Sequence, residues 1–122
     1  MTAVLIDTPV WIEHFRRPSI ALRDLITNNL AMMHPFVLVK LACGTPPAPR
    51  ARTLRYLSLL PEARPAPLAA VTGLIERETL FGSGCGLVDM SLLTSTLMTP
   101  GAQLWTLDKR PSALFRRFAV LH

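Results

Sequence analysis

Short apolar runs that stop at an acid recur along this chain. Val4-Leu5-Ile6 ends at Asp7, Gly86-Leu87-Val88 at Asp89, and Gln103-Leu104-Trp105-Thr106-Leu107 at Asp108. A short apolar run such as Ala3-Val4-Leu5-Ile6, without polar alternation, is the pattern of a strand buried on both faces. A carboxylate at the end of such a strand is costly unless something positive meets it. Lys40 is the only charge between His34 and Gly44. The set reads as a carboxylate site for a metal, with one altered member.

The rest of the chain alternates strand and helix signals. A strand beginning near residue 3 is followed by Pro9, which opens a helix through Phe15 because proline suits the first helical turn. Ser19 caps a second helix carrying Ile20, Leu22, Leu25 and Ile26, which Asn28-Asn29 ends. Leu30 to Met33 forms a short strand. His34-Pro35 starts a third helix, apolar on most faces around Lys40 and therefore expected to be buried, with Cys43 a small core residue and Gly44 the stop. After the loop Thr45-Pro46-Pro47-Ala48-Pro49, an amphipathic helix runs from Arg50 to Leu60 with a basic face and apolar Leu54, Leu57 and Leu60. Pro61 to Pro67 is a loop with room for an edge strand. Further helices span Leu68 to Phe81 and Leu87 to Met98, the latter with Leu92, Leu93, Leu97 and Met98 inward. Gln103 to Thr106 is a strand, Pro111 opens the last helix, and Ala119-Val120-Leu121 is a final strand. Such alternation implies parallel pairing through right-handed crossovers. Sites in open parallel sheets lie beyond the carboxyl ends of the strands, where Asp7 and Asp108 fall.

The bulk numbers bound the class. A chain of 122 residues, half of them apolar and 17% charged, is one globular domain rather than a disordered segment. The net charge of +5, from 13 Lys and Arg against 8 Asp and Glu, favours an anionic partner such as RNA, DNA or an acidic peptide; a solvated basic surface is the plainer alternative. Two isolated cysteines make neither a zinc motif nor a disulfide framework, and fit a reducing compartment. No apolar run reaches the ~18 residues of a membrane span, and no signal segment opens the chain. The expectation is a cytoplasmic protein with no membrane attachment.

Clustered carboxylates raise one another's pKa, and a hard divalent cation relieves the repulsion. Mg²⁺ takes oxygen ligands, keeps waters and commonly bridges to substrate phosphate. Beside a phosphodiester such an ion activates water and stabilises the developing charge. Each acid also has a plainer role. Asp7 suits a helix cap, Asp89 a partner for Lys109 or Arg110, and Asp108 a turn. Trp11 and Trp105 read as core aromatics before stacking platforms. No histidine has ligand spacing, Ser91 and Ser95 have no His-Asp partnership, and Gly82-Ser83-Gly84-Cys85-Gly86 matches no phosphate loop.

Four stretches, in order, carry a family resemblance. Val4-Leu5-Ile6-Asp7-Thr8-Pro9-Val10-Trp11-Ile12 resembles the N-terminal motif of PIN-domain ribonucleases, especially the VapC toxins of bacterial toxin–antitoxin pairs. His34-Pro35-Phe36-Val37 through Leu41-Ala42-Cys43-Gly44 resembles the second motif. Gly86-Leu87-Val88-Asp89-Met90-Ser91-Leu92-Leu93 resembles the third, and Leu104-Trp105-Thr106-Leu107-Asp108-Lys109-Arg110 the fourth. The resemblance implies a three-layer α/β/α sandwich around a central, mostly parallel sheet, formed by residues 1–122 as one domain. It also implies a Mg²⁺- or Mn²⁺-dependent endoribonuclease. Carried over, Asp7, Asp89 and Asp108 are the catalytic and metal-binding acids, and Thr8 and Thr106 are supporting hydroxyls. Lys109 and Arg110 are candidates for gripping RNA backbone. The implied partners are RNA, a second copy of the chain and a VapB-like antitoxin.

Lys40 occupies the slot of the family's second acid, a glutamate, while its neighbours keep the register. The exchange changes local charge by two units. A fixed ammonium ~5 Å from a divalent ion costs on the order of 6–7 kcal/mol at an effective dielectric of ~20, less with screening and side-chain rotation. Either the ammonium fills the hole and pairs with Asp7 or Asp89, weakening or abolishing metal binding, or it snorkels to solvent and three aspartates still hold the ion. Two function classes therefore stand side by side: a VapC-like ribonuclease with impaired activity, and a catalytically inactive PIN-domain module that binds antitoxin or RNA. A receiver-like phosphotransfer domain, which also uses strand-end acids, a threonine and a lysine, lacks the paired acids after the first strand.

Overall fold

The structure, a computed structural model, describes residues 2–122. Its sheet is built on β1 (Val4–Ile6), flanked on one side by β2 (Ala31–Met32) and on the other by β3 (Gln103–Trp105), in the order β2-β1-β3 with every pairing parallel. Val4 lies opposite Ala31 and Gln103, and Ile6 opposite Trp105. Isolated parallel bridges widen the sheet at both edges, Met33 to Glu62 and Leu104 to Leu121. They realise the edge strand expected within 61–67 and the final strand expected over 119–121, each as a single bridge.

Helices fill every crossover. α1 (Thr8–Arg16) and α2 (Ile20–Thr27) connect β1 to β2. α3 (Pro35–Cys43) and α4 (Arg50–Ser58) lead from β2 to the Glu62 bridge, α5 (Leu68–Glu78) and α6 (Leu87–Met98) run from there to β3, and α7 (Lys109–Arg117) precedes the last bridge. Right-handed crossovers moving outward from β1 put α1 to α4 on one face; those moving the other way put α5 to α7 on the opposite face. Contacts of α3 with α1 and α4, and of α6 with α5, agree. The result is the α/β/α sandwich with a parallel sheet.

The core explains the strands. Val4, Leu5, Ile6 and Leu104 are fully buried because helices cover both faces, and Trp11 and Phe115 fill the two helix–sheet layers. α6 is the most enclosed helix, with Met90 to Thr96 buried in unbroken succession. Two of its threonines are satisfied locally, Thr94 donating to the Met90 carbonyl and Thr96 to the Leu92 carbonyl, both at 2.7 Å, while the buried Ser91 hydroxyl has no partner among the described residues. Among the described residues no helix is long and apolar enough to cross a membrane.

Four expectations from the sequence are corrected. α3 is not buried all round: Val37 and Leu41 face inward, while Val39, Lys40 and Cys43 are exposed, because only one side of the helix meets neighbouring elements. Leu97 and Met98 are partly exposed rather than inward, since α6 outruns its cover. α5 stops at Glu78 because Thr79 turns left-handed (φ 55°), which buries Leu80 and leaves Phe81 exposed. α4 ends at Ser58, two residues before the expected Leu60.

Two histidines serve as backbone acceptors. His14 Nδ1 accepts from the Ser19 amide at 2.9 Å, and His34 Nδ1 accepts from the Phe36 amide at 3.0 Å while Nε2 meets Ser95 Oγ at 3.1 Å. An imidazolium has no lone pair for such a bond. Burial lowers both pKa values from the ordinary 6.5, with Arg23 adding to the effect at His14. The unfolded chain therefore binds more protons just below pH 6.5, so stability is full above that value and declines as the pH falls through it. Thermal melts between pH 7.5 and 5 should show this decline. A His34→Asn variant, which keeps an acceptor, should flatten it; an unchanged slope would refute the assignment.

Candidate active site

Asp7 leaves the carboxyl end of β1 and caps α1 with only 3% of its surface exposed. Its Oδ1 accepts from the Thr8 amide and its Oδ2 from the Thr106 hydroxyl, each at 2.8 Å. Thr106 follows β3 directly, and the same hydroxyl oxygen accepts from the Asp108 amide at 3.2 Å. One threonine thus ties the ends of β1 and β3 together and sets the turn that carries Asp108, which is exposed at the start of α7. Asp89 arrives from the other side, in the first turn of α6, where its Oδ2 accepts from the Gly86 amide at 3.4 Å.

Electrostatics links these groups. Burial is the main cause that raises the Asp7 pKa above the ordinary 3.8; the bonds from Thr106 and Thr8 oppose it, Asp89 adds to it, and Lys40 opposes it least. Burial likewise leads in raising Asp89, opposed by the Gly86 amide, reinforced by Asp108 and opposed last by Lys40. The three aspartates and Lys40 therefore share one electrostatic neighbourhood, although their elements lie far apart in the chain. Lys40 projects from the last turn of α3 into solvent. Among the described residues the ion pairs join Glu78 to Arg77 and Arg117, so neither the expected bridge from Lys40 to Asp7 or Asp89 nor one from Asp89 to Lys109 or Arg110 is formed.

The remaining candidates sort by burial. Thr8 is buried with its hydroxyl unpartnered beside Asp7, and Trp11 is core, with its indole N–H also unpartnered. Trp105 is half-buried against the His122 ring, 5.3 Å between centroids. Lys109 and Arg110 are exposed in the first turn of α7. Arg110 folds back over Gly84, where a Cβ would meet its Nη1 at 2.8 Å. Arg110 can swing aside, but Gly84 has φ +82°, and that backbone conformation is what calls for glycine in the loop before α6. The sequence did not reveal a cleft of about 530 Å³ between Ile12, Phe15 and Arg16 of α1, Lys40 and Leu41 of α3, and the following loop. Its only sequence signal is the spacing of Ile12, Phe15 and Arg16 on one helical face.

The family resemblance implies a divalent ion held by acidic side chains. Both oxygens of Asp7 already accept hydrogen bonds. Among the described residues no three of the His, Cys, Asp and Glu side chains form a group that could hold a metal ion. The residues as they stand do not make a ready-formed divalent site.

No family profile matches the chain. Ribonuclease VapC32 of Mycobacterium tuberculosis, in strains CDC 1551 / Oshkosh and ATCC 25618 / H37Rv, is 39% identical over 113 residues, covering 90% of this chain and 88% of the relative. The crystal structure of PAE2754 from Pyrobaculum aerophilum superposes with a TM-score of 0.59 over 97% of this chain and 90% of that one; at 18% identity it shows a shared fold.

An ionised Asp7 is a cost to folding, because its pKa is raised in the folded state. Stability conferred by the protonated form is lost as the pH climbs from 3.8 through the folded value. Asp7→Asn keeps an acceptor for the Thr8 amide without the buried charge. In EDTA at pH 7 it should melt above the parent, and the difference should vanish below pH 3.8. A lower melting temperature at pH 7 would contradict this account.

Proposed function

The chain belongs to the VapC-type PIN-domain ribonucleases, and on that premise we propose that it descends from a Mg²⁺- or Mn²⁺-dependent endoribonuclease toxin whose activity Lys40 weakens. The single observation that carries the reading is the electrostatic link from Asp7, at the end of β1, to Asp89 and from Asp89 to Asp108, with Lys40 acting on Asp7 and Asp89. Asp7, held rigidly by Thr8 and Thr106, and Asp89 and Asp108 around it are the acidic residues that face RNA phosphate in this proposal. Thr106 is a positioning residue, since it orients Asp7 and the Asp108 turn together. Lys109 and Arg110, exposed beside Asp108, are placed to meet the RNA backbone. The partners proposed are RNA, a VapB-like antitoxin and a second copy of the chain.

Lys40 acts through charge rather than contact. It opposes the raised pKa values of Asp7 and Asp89 from a solvent-facing position without bridging either carboxylate. Solvent screens it, so its penalty on a cation falls below the figure for a fixed ammonium. What is missing is also a ligand, because no acid replaces the glutamate that the slot holds in the family. The lack of a metal-ready acid group favours a second reading, a PIN-domain module that binds antitoxin or RNA without cutting.

Lys40→Glu separates the two. With Mg²⁺ or Mn²⁺ it should raise RNA cleavage by at least about tenfold over the parent, corresponding to ~1.4 kcal/mol. It should also tighten metal binding measured by calorimetry, and adding Asp7→Asn should abolish the gain. Equal cleavage by parent and Lys40→Glu would sink the weakened-site reading. No cleavage by either, with RNA or antitoxin still bound, would establish the binding module.

A further inference from the structure

From Leu25 to Pro61 the chain carries four cations, Lys40, Arg50, Arg52 and Arg55, and not one Asp or Glu. Three of the four sit on α4. Arg50 is consumed internally: its guanidinium donates to the Ala42 and Gly44 carbonyls at the end of α3. The Thr53 hydroxyl donates to the Pro47 carbonyl at 2.7 Å. These bonds clamp the preceding proline-rich loop onto α4 and fix the helix beside α3. Arg52 and Arg55 are left exposed, with no ion-pair partner among the described residues.

Positions 52, 55, 56 and 59 share one helical face by their three- and four-residue spacing. With Ala51 they line a shallow depression of about 500 Å³. Tyr56 is 64% exposed and Leu59 71% exposed. Arg and Tyr are enriched at protein interfaces as well, but two guanidiniums without an ion-pair partner among the described residues, in a stretch with no acid, call for an anionic occupant. The same set suits a nucleic acid strand. Guanidiniums clamp phosphates bidentately, and an exposed phenol ring offers a stacking face to any base.

We infer that this face of α4 holds single-stranded RNA outside the acid site, Arg52 and Arg55 gripping phosphates and Tyr56 stacking on a base. The inference rests on the ribonuclease reading above and extends it from the acids to the grip on substrate. The surface needs no metal, because its cations are the protein's own.

Fluorescence anisotropy with a fluorescein-labelled single-stranded RNA oligomer, in EDTA to prevent cleavage, tests it on the full chain. Tyr56→Ala should weaken binding roughly tenfold, while Tyr56→Phe, which keeps the ring, should not. Arg52→Ala and Arg55→Ala should each weaken binding and reduce the slope of log K against log salt by about 0.7. Parent-like affinity and slope in all of these variants would overturn the inference. So would a polyglutamate peptide that binds this face and that RNA fails to displace. The Lys40→Glu background separates the two readings. If Lys40→Glu cuts RNA and the α4 substitutions change nothing, the α4 surface falls and the ribonuclease reading stands. If Lys40→Glu does not cut but the α4 substitutions still weaken RNA binding, the ribonuclease reading falls and the surface remains.

Discussion

The buried carboxylate of Asp7 organises this end of the molecule. It is held at 2.8 Å by the first amide of α1 on one oxygen and at 2.8 Å by the Thr106 hydroxyl on the other. Those two bonds join the ends of β1 and β3 to the start of α1, and Thr106 passes the constraint on to the Asp108 turn. A charge in that position is expensive, and burial outweighs both hydrogen bonds in setting its pKa. The fold keeps a buried acid whose pKa burial raises, the kind of perturbed group by which candidate functional sites are recognised.

Lys40 alters that site without dismantling it. The strands, caps and hydrogen bonds around Asp7 are intact, and Lys40 touches neither Asp7 nor Asp89 through an ion pair. Its influence is a long-range field from a solvated ammonium, the smallest of the influences on either aspartate. In the proposed metal-dependent reading, the missing carboxylate therefore weighs more than the added positive charge. α4, packed beside α3, presents Arg52 and Arg55 to solvent, and the acid-free stretch from Leu25 to Pro61 gives this surface a polarity opposite to that of the strand-end acids.

Much of the fold was legible because its signals are local. Three consecutive apolar residues before Asp7, proline after Asp7 and after His34, and Ser19 before a periodic run each specify an element whatever surrounds them. The misreadings fell where burial depends on neighbours. α3 is apolar by composition, yet Val39 and Cys43 face solvent because only one side of it is covered. Leu97 and Met98 continue the pattern of α6 past the point where other elements enclose it. Left-handed Thr79 ends α5 without any glycine to announce it.

By itself the sequence determined the order of strands and helices, the parallel sheet and the placing of Asp7 and Asp108 at strand ends, since periodicity and capping act over a few residues. Only the tertiary structure decided that Asp89 lies within electrostatic reach of Asp7 and of Asp108, and that Thr106 bonds Asp7 across 99 positions of sequence. It also decided that Lys40 stands within reach of their field but outside contact. Those distances depend on how crossovers fold back over the sheet, and no spacing along the chain encodes how far a side chain on one layer lies from a carboxylate on another.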